Sequence, residues 1–190
     1  MQQKNSKQLT YAALLATNLA AIGSIYYFWP GLRFEYTPAN YIIFAALHIS
    51  LPIIIFLLAR ISINQGTRFI FNALAFVILL PAVFLAISAL NGARHSARSG
   101  HDPSLQPIAH IKHLGSHYKL YRTQANPNKA HGLVLRKETP LLANLKYVED
   151  IKGFYGTKNG SLEMFANKHI KVTTEPYNSY YKTEVFEFSP

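Results

Sequence analysis

Apolar and polar positions divide this chain into two halves that follow different rules. Residues 11–29, 41–59 and 69–90 are three runs with no charged side chain, of 19, 19 and 22 positions. As helices they are each about 28–33 Å long, which matches a hydrocarbon core of roughly 30 Å. Core helices of soluble proteins rarely stay uncharged for so long. Beyond residue 107 the pattern changes to short alternating stretches separated by Gly, Pro and Asn. The pattern predicts a membrane α-helical three-helix transmembrane bundle (residues 1–90) followed by a small α+β domain (residues 108–190).

The first run ends in Tyr26-Tyr27-Phe28-Trp29-Pro30. A cleaved signal would end in small residues, whereas aromatics of this kind sit at a membrane interface. Short connections at 30–40 and 60–68 force neighbouring helices to be antiparallel, giving an up-down-up bundle. Ala12, Ala16, Ala20 and Ser24 recur at every fourth position, with Gly23 beside them. Small residues let helix backbones approach closely in lipid. Two readings follow for this face: packing against the chain's own helices, or docking of a partner helix or second copy. Ala82, Ala86 and Ala89 give the third run a weaker version.

Two polar groups inside the runs stand out, His48 and Asn72. Pro52 follows His48 by four residues and removes the amide that would bond the His48 carbonyl. Ser50 lies nearby. Intramembrane ionisable groups are functional candidates. No carboxylate or lysine accompanies His48 in the runs, so a helix-to-helix hydrogen bond is favoured over a proton or transport role.

Residues 91–107 are rich in Gly, Ser, Pro and Arg and read as a solvated linker. Five of the eight histidines fall between residues 95 and 117. On a helix, His110, His113 and His117 would share one face, where three imidazoles suit zinc or copper. Gly115 and the lack of nearby carboxylates weigh against such a site. Histidines could equally make the segment pH-responsive. No motif calls for any other cofactor.

Within residues 108–190, segments 117–123 and 133–137 read as one hairpin around an Asn-Pro-Asn turn. Leu142, Leu145, Val148, Ile151 and Phe154 recur every third residue and predict a short helix. Asn159-Gly160 reads as a turn. Segments 162–166 and 169–174 read as a second hairpin, and 180–188 as a final strand. The expected order is roughly β-β-α-β-β-β. Seven tyrosines in this part suit core edges or a recognition surface, and an exposed last strand could pair with another chain.

Charge refines the picture. The chain carries 19 Lys and Arg against 9 Asp and Glu, a net +10. Residues 1–100 hold seven cations and Glu35 alone, and residues 101–190 hold twelve cations and eight acids. Most of the excess thus flanks apolar runs, where it orients helices, rather than forming a nucleic-acid footprint. Lys4, Lys7, Arg60 and Arg68 against Arg33, Arg94 and Arg98 place the N-terminus in the cytoplasm. The polar domain would then lie in the periplasm of a bacterium. Cysteine is absent, which excludes disulfides and thiolate chemistry. No Ser-His-Asp, Walker, GxSxG or GxGxxG pattern appears.

These features point to a non-catalytic, multi-pass inner-membrane protein. It would be an accessory or assembly subunit that binds a membrane or envelope protein, with homo-oligomers as a further option. An immunity-type protein neutralising a toxin, or a His-dependent metal-handling or transport component, are the alternatives.

Overall fold

A computed structural model describes residues 2–25, 31–62, 64–102, 104–123, 132–142, 144–165 and 169–190. Three helices come first: α1 (Gln2–Gly23), α2 (Thr37–Ile61) and α3 (Gln65–Ser99). A short strand, β1 (Leu32–Phe34), separates α1 from α2. Seven strands follow: β2 (Leu105–His113), β3 (Ser116–Thr123), β4 (Gly132–Pro140), β5 (Leu145–Tyr155), β6 (Thr157–Phe165), β7 (His169–Pro176) and β8 (Val185–Phe188). The chain divides into two compact units, residues 1–30 with 38–94, and residues 31–37 with 95–190.

In the helical unit, α2 and α3 are 25 and 35 residues long, about 37 and 52 Å. Among the described residues these two helices are long and apolar enough to cross a bilayer. Two of the three expected spans are thus shown as candidates, and α1 is not shown to be one. α1 begins among Gln, Lys and Asn residues, which dilute its apolar character. The aromatic end of its uncharged run, residues 26–29, lies outside the described residues. Leu80, Phe76 and Phe84 of α3 are 70% or more exposed, as lipid-facing side chains would be.

Helices α2 and α3 meet along small residues. The buried positions of α2 include Ala45, His48, Pro52, Ile55 and Ala59, at spacings of three and four. Those of α3 include Ala75, Ala82, Ala86, Ala89, Ala93 and Ser96. Ala45, Ala86 and Ala89 form one cluster with Tyr41, Phe44 and Ile49 around it. At Gly92 a Cβ atom would stand 2.7 Å from the Tyr41 ring. We therefore expect Gly92→Leu to force α2 and α3 apart and to cost about 1–3 kcal/mol. Gly23→Leu, where no atom lies within 4 Å, is the control. Thermal unfolding of the detergent-solubilised protein measures both, and equal melting temperatures would refute this packing.

The linker expected at 91–107 is in its first half a helix. Ala93, Arg94, Ala97 and Arg98 favour helix, and no proline intervenes before residue 103. Gly100 ends α3 with φ +76°, and its N–H bonds the Ser96 carbonyl at 2.9 Å.

The second unit is built of two antiparallel sheets. One has the order β1-β5-β4-β3-β2 and the other β6-β7-β8. Strand β6 lies across β2, β3 and β4. Between the sheets are Leu120, Leu133, Leu135, Phe154 and Val172, all 2% exposed or less. Gly160 on β6 permits this approach, because a Cβ there would meet Leu133 and Leu120 at about 3 Å. The turn expected at Asn159-Gly160 is instead the interior of β6.

The expected α+β domain is thus corrected to a β-sandwich. The two foreseen hairpins form, as β3–β4 and β6–β7. Their connecting residues, 124–131 and 166–168, lie outside the described residues. The predicted helix over 142–154 is strand β5. Leu135 pairs with Lys152 but Arg136 pairs with Asp150, so Ile151 is an extra residue in β5. Such a bulge switches the alternation of faces. Val148 therefore lies on one face and Phe154 on the other, with Ile151 packed against the core between them. The bulge brings Ile151 and Phe154, three residues apart, to the core face, while Val148 stays on the other, so the spacing of three does not mark one helical face. The last strand is also shorter than expected, covering only residues 185–188.

Candidate functional site

Three arrangements stand out in the sequence, two polar and one of small residues, and the structure places each. The first is the histidine group. Residues His110 and His117 lie on neighbouring strands, not on a helix. In the β2–β3 hairpin His110 pairs with Lys119, and Lys112 pairs with His117. Alternation then sets His110, Lys112, His117 and Lys119 on one face of the sheet. His110 Nε2 and His117 Nδ1 are 2.9 Å apart, and the rings stack at 5.1 Å and 13°. One ring donates and the other accepts, so at least one is neutral. Burial and then the charges of His110, Lys119 and Lys112 lower the His117 pKa, against the pull of Glu138. His113 falls on the opposite face of β2, next to the Leu114-Gly115 turn. Two of the three histidines thus converge. Among the described residues no three His, Asp or Glu side chains gather as a metal-holding group.

The same face also carries a carboxylate. Glu138 of β4 sits opposite His117 and is only 5% exposed. Its Oε2 accepts from Lys119 Nζ at 2.7 Å and from Lys146 Nζ at 2.9 Å, and its Oε1 accepts from the Tyr121 hydroxyl at 2.5 Å. Burial alone would raise this carboxyl. Hydrogen bonds from Lys119, Tyr121 and Lys146 outweigh that effect and hold it at about 2. Burial, with the Glu138 hydrogen bond, pushes the Tyr121 phenol well above its ordinary value. Every oxygen of the carboxylate is bonded, which makes this a structural lock rather than a proton donor at neutral pH. Residues 119, 121, 138 and 146 have no sequence spacing that would announce it.

The second arrangement lies between helices. His48 is buried, donates from Nδ1 to the Phe44 carbonyl at 2.8 Å, and stacks on the Phe44 ring at 4.1 Å. Asn18 of α1 bonds between helices. Its Nδ2 donates to Ser50 Oγ at 2.6 Å and to the Leu47 carbonyl at 3.3 Å. Asn18 stands alone as an amide in an uncharged run, a signal the sequence did offer. Asn72 of α3 has its Oδ1 buried without a hydrogen-bond partner, as has Asn18.

The third is the small-residue face of α1. Ala12, Ala16 and Ala20 are exposed, while Asn18 on the other side of the helix is buried. Ser24 bonds the Ala20 carbonyl within α1. Among the described residues these three alanines are left uncovered, and Gly23 and Ser24 are half-buried. The stripe on α3 behaves oppositely, with Ala82, Ala86 and Ala89 buried.

One feature had no sequence signal at all. The segment between α1 and α2 contributes β1 to the five-stranded sheet. Leu32, Arg33 and Phe34 pair with Tyr147, Lys146 and Leu145. Val148 donates to the Gly31 carbonyl at 2.6 Å, and Glu35 to that of Asn144 at 2.8 Å.

Comparison with known proteins finds no matching family model, no matching curated protein and no matching solved structure.

Proposed function

We propose that this chain is a non-catalytic, multi-pass protein of a bacterial inner membrane. It serves as an accessory or assembly subunit that holds a second membrane or envelope protein. The observation that carries this reading is the division of labour on α1. Asn18 and its side of the helix engage α2, and the alanine side is left for another helix. Close backbone approach along such a side is the main source of helix association in lipid. The outward apolar side chains of α3 support immersion in a bilayer.

Strand β1 supports the proposed orientation. Residues 31–37 and 95–190 form one unit, so they share one side of the membrane. If α2 and α3 cross, the connection at residues 62–64 is on the other side. With α1 crossing as well, Lys4, Lys7, Arg60 and Arg68 on that side, against Arg33, Arg94 and Arg98 on the other, favour it as the cytoplasmic one.

Two measurements test this reading. Ser161→Cys and Asn64→Cys, both exposed, are labelled with a membrane-impermeant maleimide in cells with a permeabilised outer membrane. We expect labelling at 161 and protection at 64; the reverse would put the domain in the cytoplasm. A photo-crosslinking residue at Ala16 should then trap another membrane protein or a second copy. A crosslink-free monomer would overturn the partner-binding role.

A further inference from the structure

The helical unit, residues 1–30 with 38–94, contains no Asp or Glu, yet it holds five cations, Lys4, Lys7, Arg60, Arg68 and Arg94. Four of the five belong to one end. Arg60 lies in the last turn of α2 and Arg68 in the first turn of α3, on either side of the connection at residues 62–64. The start of α1 is fixed to the same place, because Gln8 Nε2 donates to the Ile61 carbonyl at 3.0 Å. Lys7, Arg60 and Arg68 are exposed, and among the described residues none of them has a salt bridge. Their placement also runs against helix preference. A helix N-terminus carries partial positive charge and favours Asp or Glu in its first turn. α1 and α3 both begin at this end without an acid in the first turn, and Lys4 and Arg68 stand there instead. The counter-charge for this end therefore comes from outside the unit.

The depth of the cations selects the anion. Arg60 and Arg68 are the first charged residues beyond the uncharged runs 41–59 and 69–90. Those runs match the hydrocarbon thickness, so residues just past them stand at the level of lipid phosphates. Apolar side chains next to the cations are outward, with Phe69 75% and Phe56 42% exposed. The Arg60 guanidinium lies 4.8 Å over the Phe56 ring, which keeps it at the rim of that apolar surface. Cations at this depth attract anionic headgroups.

We propose that Lys7, Arg60 and Arg68 bind the phosphodiester headgroups of anionic phospholipid and enrich such lipid around the protein over zwitterionic lipid. This inference rests on the membrane reading above but goes beyond it, since cations orient helices without holding any particular lipid.

The full chain and its variants are reconstituted in vesicles of phosphatidylcholine with a minority of phosphatidylglycerol and extracted in mild detergent. Mass spectrometry then measures the lipid that stays bound. We expect phosphatidylglycerol to be enriched severalfold over its share in the vesicle. The triple variant Lys7→Gln, Arg60→Gln, Arg68→Gln should lose the enrichment. The charge-keeping triple Lys7→Arg, Arg60→Lys, Arg68→Lys should retain it, as should Arg94→Gln with Arg98→Gln at the other end of α3. Wild-type lipid of the vesicle's own composition overturns the inference, whether or not the neutral triple variant folds. Enrichment that survives in the folded neutral triple, or that is lost with Arg94 and Arg98, overturns it as well. Removal of the enrichment by inorganic phosphate, but not by sodium chloride of equal ionic strength, would mean a site for the free ion and would overturn the lipid assignment. A nitroxide at Phe76→Cys, an outward residue of α3 in a chain without native cysteine, tests the membrane reading in the same vesicles. Access of dissolved oxygen there, with unenriched lipid, removes this inference alone. Access of a water-soluble nickel chelate there overturns both.

Discussion

Phe154→Ala removes about 3–5 kcal/mol from the stability of the β-sandwich, the largest loss expected of any single truncation. Phe154 is 1% exposed and meets Phe186 edge-on at 6.2 Å between ring centres. It joins the two sheets, because its neighbours include Leu133 and Leu135 on one and Val172 on the other. Total stabilities of small domains are about 5–15 kcal/mol, so this loss is a large share. Phe154→Leu keeps most of the volume and should cost less than about 1.5 kcal/mol. Tyr155→Ala, one residue away but 87% exposed, should cost little. Denaturant titration of the full chain in detergent, followed by tyrosine fluorescence, ranks the three. Equal losses for Phe154→Ala and Tyr155→Ala would refute the assigned core.

Glu138→Ala should cost about 2–3 kcal/mol at neutral pH. The substitution leaves the Tyr121 hydroxyl without its acceptor and sets two lysines together without a counter-charge. Lys119 and Lys146 side chains are 28% and 18% exposed, so water offsets part of their repulsion. The effect depends on pH with a definite sign. The carboxyl is lowered from 4.5 to about 2 on folding. A lowered acid stabilises the fold fully above its unfolded value and loses that contribution as pH falls through the folded one. The difference between wild type and Glu138→Ala should therefore be constant above about pH 5 and shrink between 4.5 and about 2. A difference that stays undiminished at the acid end would show that charge pairing is not its source.

What the sequence made legible depends on the range of the interaction. The uncharged runs 41–59 and 69–90 announced α2 and α3, because lipid-compatible composition is a local property. Hairpins β3–β4 and β6–β7 were legible from alternation and turn residues. Strand β5 was not, since its apolar residues at every third position mimic a helical period while falling on both faces of a bulged strand. The His110–His117 approach was right in partners and wrong in cause. Seven residues make two helical turns, but here they span a tight hairpin with Leu114-Gly115 at its tip. The Glu138 lock and β1 were illegible because their partners are brought together only by the sheet.

Strand β1 also sets the timing of assembly. Its partners, Leu145 to Tyr147, are translated only after α2, α3 and three further strands have left the ribosome. A contact so distant along the chain forms late, since the entropy of closing the intervening loop must be met first. Until then Leu32–Phe34 lacks its strand partner. A chain cut after α3, including one fused there to a reporter, would never acquire its partner. Such truncations would report on a species arrested before the sheet exists, and chaperones that guard exposed strands would meet this protein in that interval.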